Sequence, residues 1–180
     1  MKLKAVFPVL PMLALSAPPL LAMADMPLGT RAAGESPYAG AAARTVRAMI
    51  EYTRWPARPD PVQLCVTAGA QHAGQLGGIR LSDGRRVERR NVGTAPGALG
   101  GCHVLYIGNL PLAQQRQLTA ATRGKGVLTI AEADPGNGAE AMFALTYQPR
   151  GLSFRMNIDA IARSGLKVDP RVLRVAQGGL

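Results

Sequence analysis

Residues 48–66 combine a helical pattern, a proline break and a short apolar strand. Apolar residues recur with helical spacing from position 42 to position 52. Pro56 cannot donate a backbone hydrogen bond and disfavours the helical conformation at Trp55, so we expect the helix to end there. A proline-rich corner then leads into Val62-Gln63-Leu64-Cys65-Val66-Thr67, which is predicted to be a buried strand. The break therefore folds the first helix back over the sheet that contains this strand.

The amino-terminal residues have the pattern of a secretory signal peptide. Lys2 and Lys4 precede a mostly apolar run, and Ala22-Met23-Ala24 supplies small residues at a cleavage site. An uncleaved membrane anchor is the competing interpretation, but several prolines interrupt the run. We expect residues 1–24 to be removed on export to the periplasm, residues 25–40 to form a flexible leader, and residues 41–177 to form one domain.

The chain has two cysteines, Cys65 and Cys102. In an exported protein two cysteines allow only one intramolecular pair, so a disulfide between them is expected. A metal site that adds His72 and His103 is the alternative. Its spacing is not that of a zinc module, and export favours oxidation, so we predict no bound metal.

Short apolar strands alternate with helices along the rest of the chain. Further strands are predicted at 102–107 and 127–130, a helix at 112–122, and a short helix from about 158 to 164. Segments 79–81 and 86–88 flank an Asp-Gly turn, and segments 141–147 and 152–157 form a predicted antiparallel hairpin. Residues 69–78 are predicted to form a loop and a short helix. This order predicts a compact α/β domain, with a mixed, mostly parallel sheet flanked by helices and a C-terminal hairpin.

No recognised catalytic motif is present in the sequence. It contains no G-x-S-x-G, no Ser-x-x-Lys and no dinucleotide or P-loop fingerprint, so we predict neither an enzyme nor a cofactor. The formal net charge of +10 raises nucleic acid as a partner, but the export signal and the aromatic content of 4% make that interpretation remote. The arginines at positions 80, 85, 86, 89 and 90 form either a solvated face or a docking surface for an acidic partner.

Four apolar residues are candidates for a protein-binding surface. Trp55 is either a lid on the core or a contact residue. The C-terminal segment carries Leu166, Leu173 and Val175, and it is either docked on the core or an exposed patch that binds a partner. A small-molecule-binding module is the alternative function, because a mixed α/β sheet offers a crevice at its strand ends.

Several motifs together resemble a known family. They are Tyr52-Thr53-Arg54-Trp55-Pro56, Leu64-Cys65-Val66, Gly101-Cys102-His103-Val104-Leu105-Tyr106-Ile107, Val127-Leu128-Thr129-Ile130, Leu152-Ser153-Phe154-Arg155-Met156-Asn157, Ser164-Gly165-Leu166 and Leu173-Arg174-Val175-Ala176. In this order they resemble the YfiR/HmsC-like family of periplasmic proteins.

The resemblance implies a regulator. Such proteins bind the periplasmic sensor portion of an inner-membrane diguanylate cyclase (YfiN-like) and repress it, which lowers cyclic di-GMP and biofilm formation. An outer-membrane lipoprotein (YfiB-like) sequesters the repressor, and dimers occur in the family, so a homodimer is also implied. Cys65 and Cys102 fall where the family has a disulfide linked to redox sensing and stability, whereas a second cysteine pair of some members is absent.

Overall fold

A six-stranded mixed sheet is the central element of the protein. The computed structural model describes residues 36–149 and 151–176, so the predicted signal peptide and positions 25–35 of the leader lie outside the described residues. The strands are β1 (Thr53–Arg54), β2 (Val62–Thr67), β3 (Val87–Val92), β4 (Val104–Ile107), β5 (Leu128–Ala131), β6 (Phe143–Gln148), β7 (Gly151–Met156) and β8 (Lys167–Val168). The α-helices are α1 (Ala39–Glu51), α2 (Leu112–Thr122), α3 (Ile158–Ala162) and α4 (Leu173–Ala176). Two short 3-10 helices are Pro96–Leu99 and Pro170–Val172.

The strand order confirms the expected fold class. The sheet runs β3-β2-β4-β5-β6-β7, and its neighbours are parallel except for the antiparallel hairpin β6–β7. All residues of β4 and β5 are buried, as expected for central parallel strands that are covered on both faces. Strand β3 differs, because it lies at the edge and only its first residue is buried.

The two faces of the sheet carry separate cores. On one face Val46, Met49 and Ile50 of α1 pack with Leu64 of β2 and Tyr106 of β4, among others, in a large first core. On the other face lies a smaller second core, which contains both cysteines, residues of β4 and α2, and residues from the segments before β4 and β5. Its members are Cys65, Leu99, Cys102, Leu105, Ile107, Leu118 and Val127. The alternation of side chains along β2 and β4 therefore supplies both cores from the same strands.

The first helix ends earlier than predicted. α1 stops at Glu51, and the hydroxyl of Thr53 donates to the carbonyl of Met49 at 2.6 Å. Thr53 then starts β1, which pairs antiparallel with β8 in the register Thr53↔Val168. The long-range pairing with β8 ends the helix before Pro56 can act, so the expectation that Pro56 ends it was wrong.

Two local predictions also differ from the structure. The predicted turn pair at 79–81 and 86–88 is reduced to a single antiparallel bridge between Arg80 and Arg86, because β3 pairs with β2 instead. Residues 69–78 form turns and bends without a helix. By contrast, α2 and β2 have their predicted bounds, and the predicted C-terminal hairpin forms as β6 and β7. Among the described residues, no helix has both the length and the hydropathy required to cross a membrane.

Candidate partner-binding site

An open groove of about 440 Å³ lies at the amino-terminal ends of β4 and β5, next to the β1–β8 ribbon. We call it the Trp55 groove. Its lining comes from the segment after β1, from the residues that precede β4 and β5, and from the turn before β8: Trp55, Pro56, Ala57, Pro59, Cys102, His103, Gly124, Lys125, Gly126, Ser164 and Gly165. Most of this lining is apolar or glycine, so the groove can accept apolar groups from a partner.

Two walls of the groove are held together by hydrogen bonds. Trp55 follows β1 directly, and β1 is fixed by its pairing with β8. The other wall is the turn before β8, which contains Ser164. It is tied to the turn before β5, because the amide of Gly126 donates to the carbonyl of Ser164 at 3.1 Å. The hydroxyl of Ser164 donates to the carbonyl of Ile161 and accepts from the amide of Leu166. The groove is therefore built on secondary structure rather than on a free loop.

The disulfide and a neutral histidine form another part of the lining. Cys65 and Cys102 are joined, in agreement with the expectation, so neither sulfur is a thiolate that could bind a metal. Nδ1 of His103 accepts a hydrogen bond from the amide of Gln63 at 2.9 Å. Burial lowers the pKa of His103 below its usual value, because the charged ring would lose hydration there. The neutral ring therefore carries its proton on Nε2.

The four predicted contact residues differ in their exposure. Trp55 is half-buried and lines the groove. Leu166 is only 6% exposed and belongs to the first core, so little of its side chain is available to a partner. Leu173 is 40% exposed on α4, whereas Val175 is half-buried against the first core. Helix α4 contacts α1 and β7.

Two exposed apolar residues were missed by the sequence-based prediction. Ile158 is 70% exposed at the start of α3, and Leu112 is 45% exposed at the start of α2. Both open a short or weakly amphipathic helix, where periodicity gives little information about which side faces the core. A signal was nevertheless present for Ile158, because the preceding Asn157 is a helix N-cap and first-turn side chains of short helices are often exposed.

A comparison with known protein families shows to which family the chain belongs. The model of the YfiR/HmsC-like family matches residues 40–177, which is more than half of the sequence. The chain belongs to the YfiR/HmsC-like family. The match runs from the second residue of α1 to the end of the described structure, so it includes the whole sheet and the Trp55 groove. Membership indicates a periplasmic, non-catalytic regulator of diguanylate cyclase signalling.

This family member has a buried polar cluster at the carboxyl ends of β4 and β5. Glu132 is 2% exposed, and its carboxylate accepts hydrogen bonds from the amides of Gln71 and His72 and from the hydroxyl of Tyr106. The Tyr106 hydroxyl also lies 3.1 Å from that of Tyr147. Burial raises the pKa of both tyrosines, so both hydroxyls stay protonated at neutral pH. These contacts satisfy the acid and tie the loop after β2 and the loop after β5 to strands β4 and β6, which is a structural role.

The crevice that the small-molecule alternative requires is filled by main chain. In this strand order the chain runs from β2 outward to β3 and then returns to the other side of β2 to form β4, so a topological switch point lies between β2 and β4. Ligands of such sheets bind at the carboxyl ends of the two strands that flank the switch point. Here Gly108, after β4, packs so closely on the loop after β2 that a Cβ atom would lie 2.3 Å from the amide nitrogen of Ala70. The amide of Asn109 also donates to the carbonyl of Gly69 at 3.1 Å. The two loops therefore occupy the place of a ligand at this switch point.

Proposed function

We propose that this protein is a periplasmic repressor of a membrane-bound diguanylate cyclase. It binds the periplasmic sensor portion of the cyclase and holds it in an inactive conformation, which lowers cyclic di-GMP and biofilm formation. The observation that carries the proposal is the family match over residues 40–177. A repressor of this kind needs only a higher affinity for the inactive conformation of the sensor, because that difference shifts the population toward the inactive state.

The Trp55 groove is the contact surface that we assign to the cyclase. Tryptophan is enriched among residues that dominate binding energy, particularly where it lies in a pocket that excludes water. Trp55 is half-buried beside Pro56 and the disulfide, so its ring is already ordered before a partner arrives. This order reduces the conformational entropy lost on binding. Leu173 offers a second apolar contact on α4.

The proposal is tested by deletion of the gene and complementation. We expect cyclic di-GMP and biofilm mass to rise in the deletion strain and to return to the parental level when the wild-type gene is restored. Complementation with Trp55→Ala restores repression poorly, whereas Leu112→Ala, an exposed apolar residue outside the groove, restores it fully. Circular dichroism of both purified variants establishes that they fold. Unchanged cyclic di-GMP after deletion would count against the proposed function itself. Full repression by Trp55→Ala would contradict only the assignment of the Trp55 groove as the contact surface.

Two further partners belong to the same proposal. An outer-membrane lipoprotein of the YfiB type would relieve repression by sequestering the protein, so its overproduction should raise cyclic di-GMP only in cells that contain the wild-type gene. A homodimer would be seen as concentration-dependent mass in sedimentation equilibrium. Cell fractionation checks the assumed compartment, because the processed protein should be released with the periplasmic contents.

A further inference from the structure

Strand β3 leaves hydrogen-bonding groups free along its outer side. On its inner side the carbonyl of Arg86 accepts from the amide of Val62 in β2. The amide of Val87 points the opposite way and donates to the carbonyl of Ile79. Backbone groups alternate in direction along a strand, so the amides and carbonyls of Arg89 and Asn91 also face outward. Within the described residues, these outward groups make no backbone hydrogen bond.

The free edge is strongly basic. Arg80, Arg86, Arg89 and Arg90 are all exposed, and none of their guanidinium groups lies within ion-pair distance of a carboxylate in the described part of the chain. The nearby acid, Glu88, accepts from the side-chain amide of Gln63 instead. Arg85 differs from the four, because Asp83 neutralises it at 2.8 Å.

Two of these arginines are held in place by main-chain carbonyls. The guanidinium of Arg89 donates to the carbonyl of Ala73 at 2.7 Å, and that of Arg90 donates to the carbonyl of Gly100 at 2.6 Å. A carbonyl fixes the position of a guanidinium but leaves its net charge uncompensated. Arg80 and Arg86 face each other across the isolated bridge at the start of the strand. The guanidinium of Arg90 also lies 3.4 Å from Sγ of Cys65, so it points back over β2. The arginines that line the groove beside the edge are Arg80, Arg86 and Arg89, and they place positive charge there before any partner binds.

A shallow groove of about 500 Å³ runs beside the edge. Its walls are residues 77–80 and 86–89. Gly77 and Gly78 have open space where a Cβ would lie, so the side of the groove that they form is unobstructed. A second groove of about 390 Å³ begins at the other end of β3, and Arg89 lines both. The second groove is also lined by residues 66–70 at the end of β2, on the inner side of β3, so the open space beside the outer edge is the first groove, next to residues 77–80.

We propose that the outer edge of β3 binds an extended acidic segment of a partner protein by strand addition. The backbone of Arg89 and Asn91 supplies the hydrogen bonds, and Arg80, Arg86 and Arg89 select glutamate or aspartate in the added strand. A second copy of this chain is a poor occupant, because two such edges would bring like charges together. The site lies on the edge strand of the sheet, whereas the Trp55 groove lies at the amino-terminal ends of β4 and β5. It does not depend on the identity of the cyclase.

A fluorescein-labelled peptide of alternating glutamate and valine serves as the probe. We expect saturable binding to the purified full domain by fluorescence anisotropy. Raising the salt from about 50 to about 300 mM should weaken binding at least about fivefold, because exposed charge pairs are screened. A peptide with lysine in place of glutamate should not bind measurably. The acidic peptide with N-methyl groups on its pairing residues keeps its charge but loses its donors, so we expect about a tenfold loss of affinity.

Charge-reversal variants locate the site. The double variant Arg80→Glu/Arg86→Glu should weaken binding by about tenfold or more, whereas the control Arg163→Glu/Arg174→Glu, with the same change in net charge, should weaken it less than about twofold. Hydrogen exchange gives a readout at the strand itself, since the amides of Arg89 and Asn91 should become protected when the acidic peptide is added. No binding at low salt, equal binding of the N-methylated peptide, or equal loss in both double variants would each overturn the proposal. Peptide-free dimerisation through β3 would likewise overturn the choice of occupant.

Discussion

The buried carboxylate of Glu132 provides a direct test of the polar cluster. We consider Glu132→Gln, which preserves the size and shape of the side chain but replaces one acceptor oxygen with an NH2 donor. The Oε1 atom accepts from the amide of His72 at 2.6 Å and from the hydroxyl of Tyr106 at 3.0 Å, and Oε2 accepts from the amide of Gln71 at 2.7 Å. Whichever way the new amide is turned, its NH2 group faces a backbone N–H.

The expected cost is estimated from these contacts. One hydrogen bond is lost, which typically accounts for about 1 kcal/mol, and two donors confront each other in a site where an unsatisfied donor costs about 1 to 3 kcal/mol. We therefore expect Glu132→Gln to lower the free energy of unfolding by about 3 kcal/mol. Glu140→Gln is the matched control: Glu140 makes an exposed ion pair with Arg123, and such pairs contribute less than about 1 kcal/mol.

The measurement is urea unfolding at neutral pH, followed by far-ultraviolet circular dichroism and by the fluorescence of Trp55, the single tryptophan. Coincident transitions and similar m values in the three proteins would establish that only stability differs. A loss below about 0.5 kcal/mol in Glu132→Gln, or a loss equal to that of the control, would refute the assignment of Glu132 as the satisfied centre of the cluster.

Three other predictions concern the disulfide, the close loop contact and the buried histidine. The bridge joins residues 37 apart, so the double variant Cys65→Ala/Cys102→Ala should be less stable by about 4 kcal/mol in the same urea assay, and a loss below about 1 kcal/mol would contradict the loop-entropy argument. Gly108→Ala should cost about 3 kcal/mol, whereas Gly97→Ala, with open space at its Cβ, should change stability by less than about 0.5 kcal/mol. Nuclear magnetic resonance should show that His103 titrates below its usual pKa. As the pH falls, the unfolded state therefore takes up the proton before the folded state does. The contribution of His103 to the free energy of unfolding is present above about pH 6.5 and declines as the pH falls below that value. Titration at or above the usual value would contradict its burial as a neutral acceptor.

Most of the sheet was predictable because its signals are local. The run that forms β2 is apolar on both sides of Cys65, and the helix α2 ends where Arg123 meets Gly124, a glycine with positive φ. In the sequence, Gln148-Pro149-Arg150-Gly151 likewise separates two alternating segments. The disulfide followed from the number of cysteines together with the export signal. The motifs of the family were also readable in the chain, and the family match agrees with them.

The end of α1 and the place of Leu166 were decided only in three dimensions. Thr53 leaves the helix because its strand partner is Val168, more than a hundred residues later in the chain. Leu166, which is apolar like its neighbour Leu173, lies in the first core, whereas Leu173 stays exposed. Composition and periodicity within one segment do not contain this information, because burial depends on which distant element packs against it.

The sequence alone thus determined the family, the fold class, the cysteine pairing and the bounds of strongly patterned elements. Tertiary structure decided which polar groups are satisfied and which surfaces stay free. In the sequence Glu132 is only an acid that follows the predicted strand 127–130, whereas its hydrogen-bond donors come from the loop after β2 and from β4. The open edge of β3 exists because that strand pairs with β2 on one side only. Hydrogen bonds and charges are satisfied by groups that meet in space, so their outcome follows from packing rather than from position along the chain.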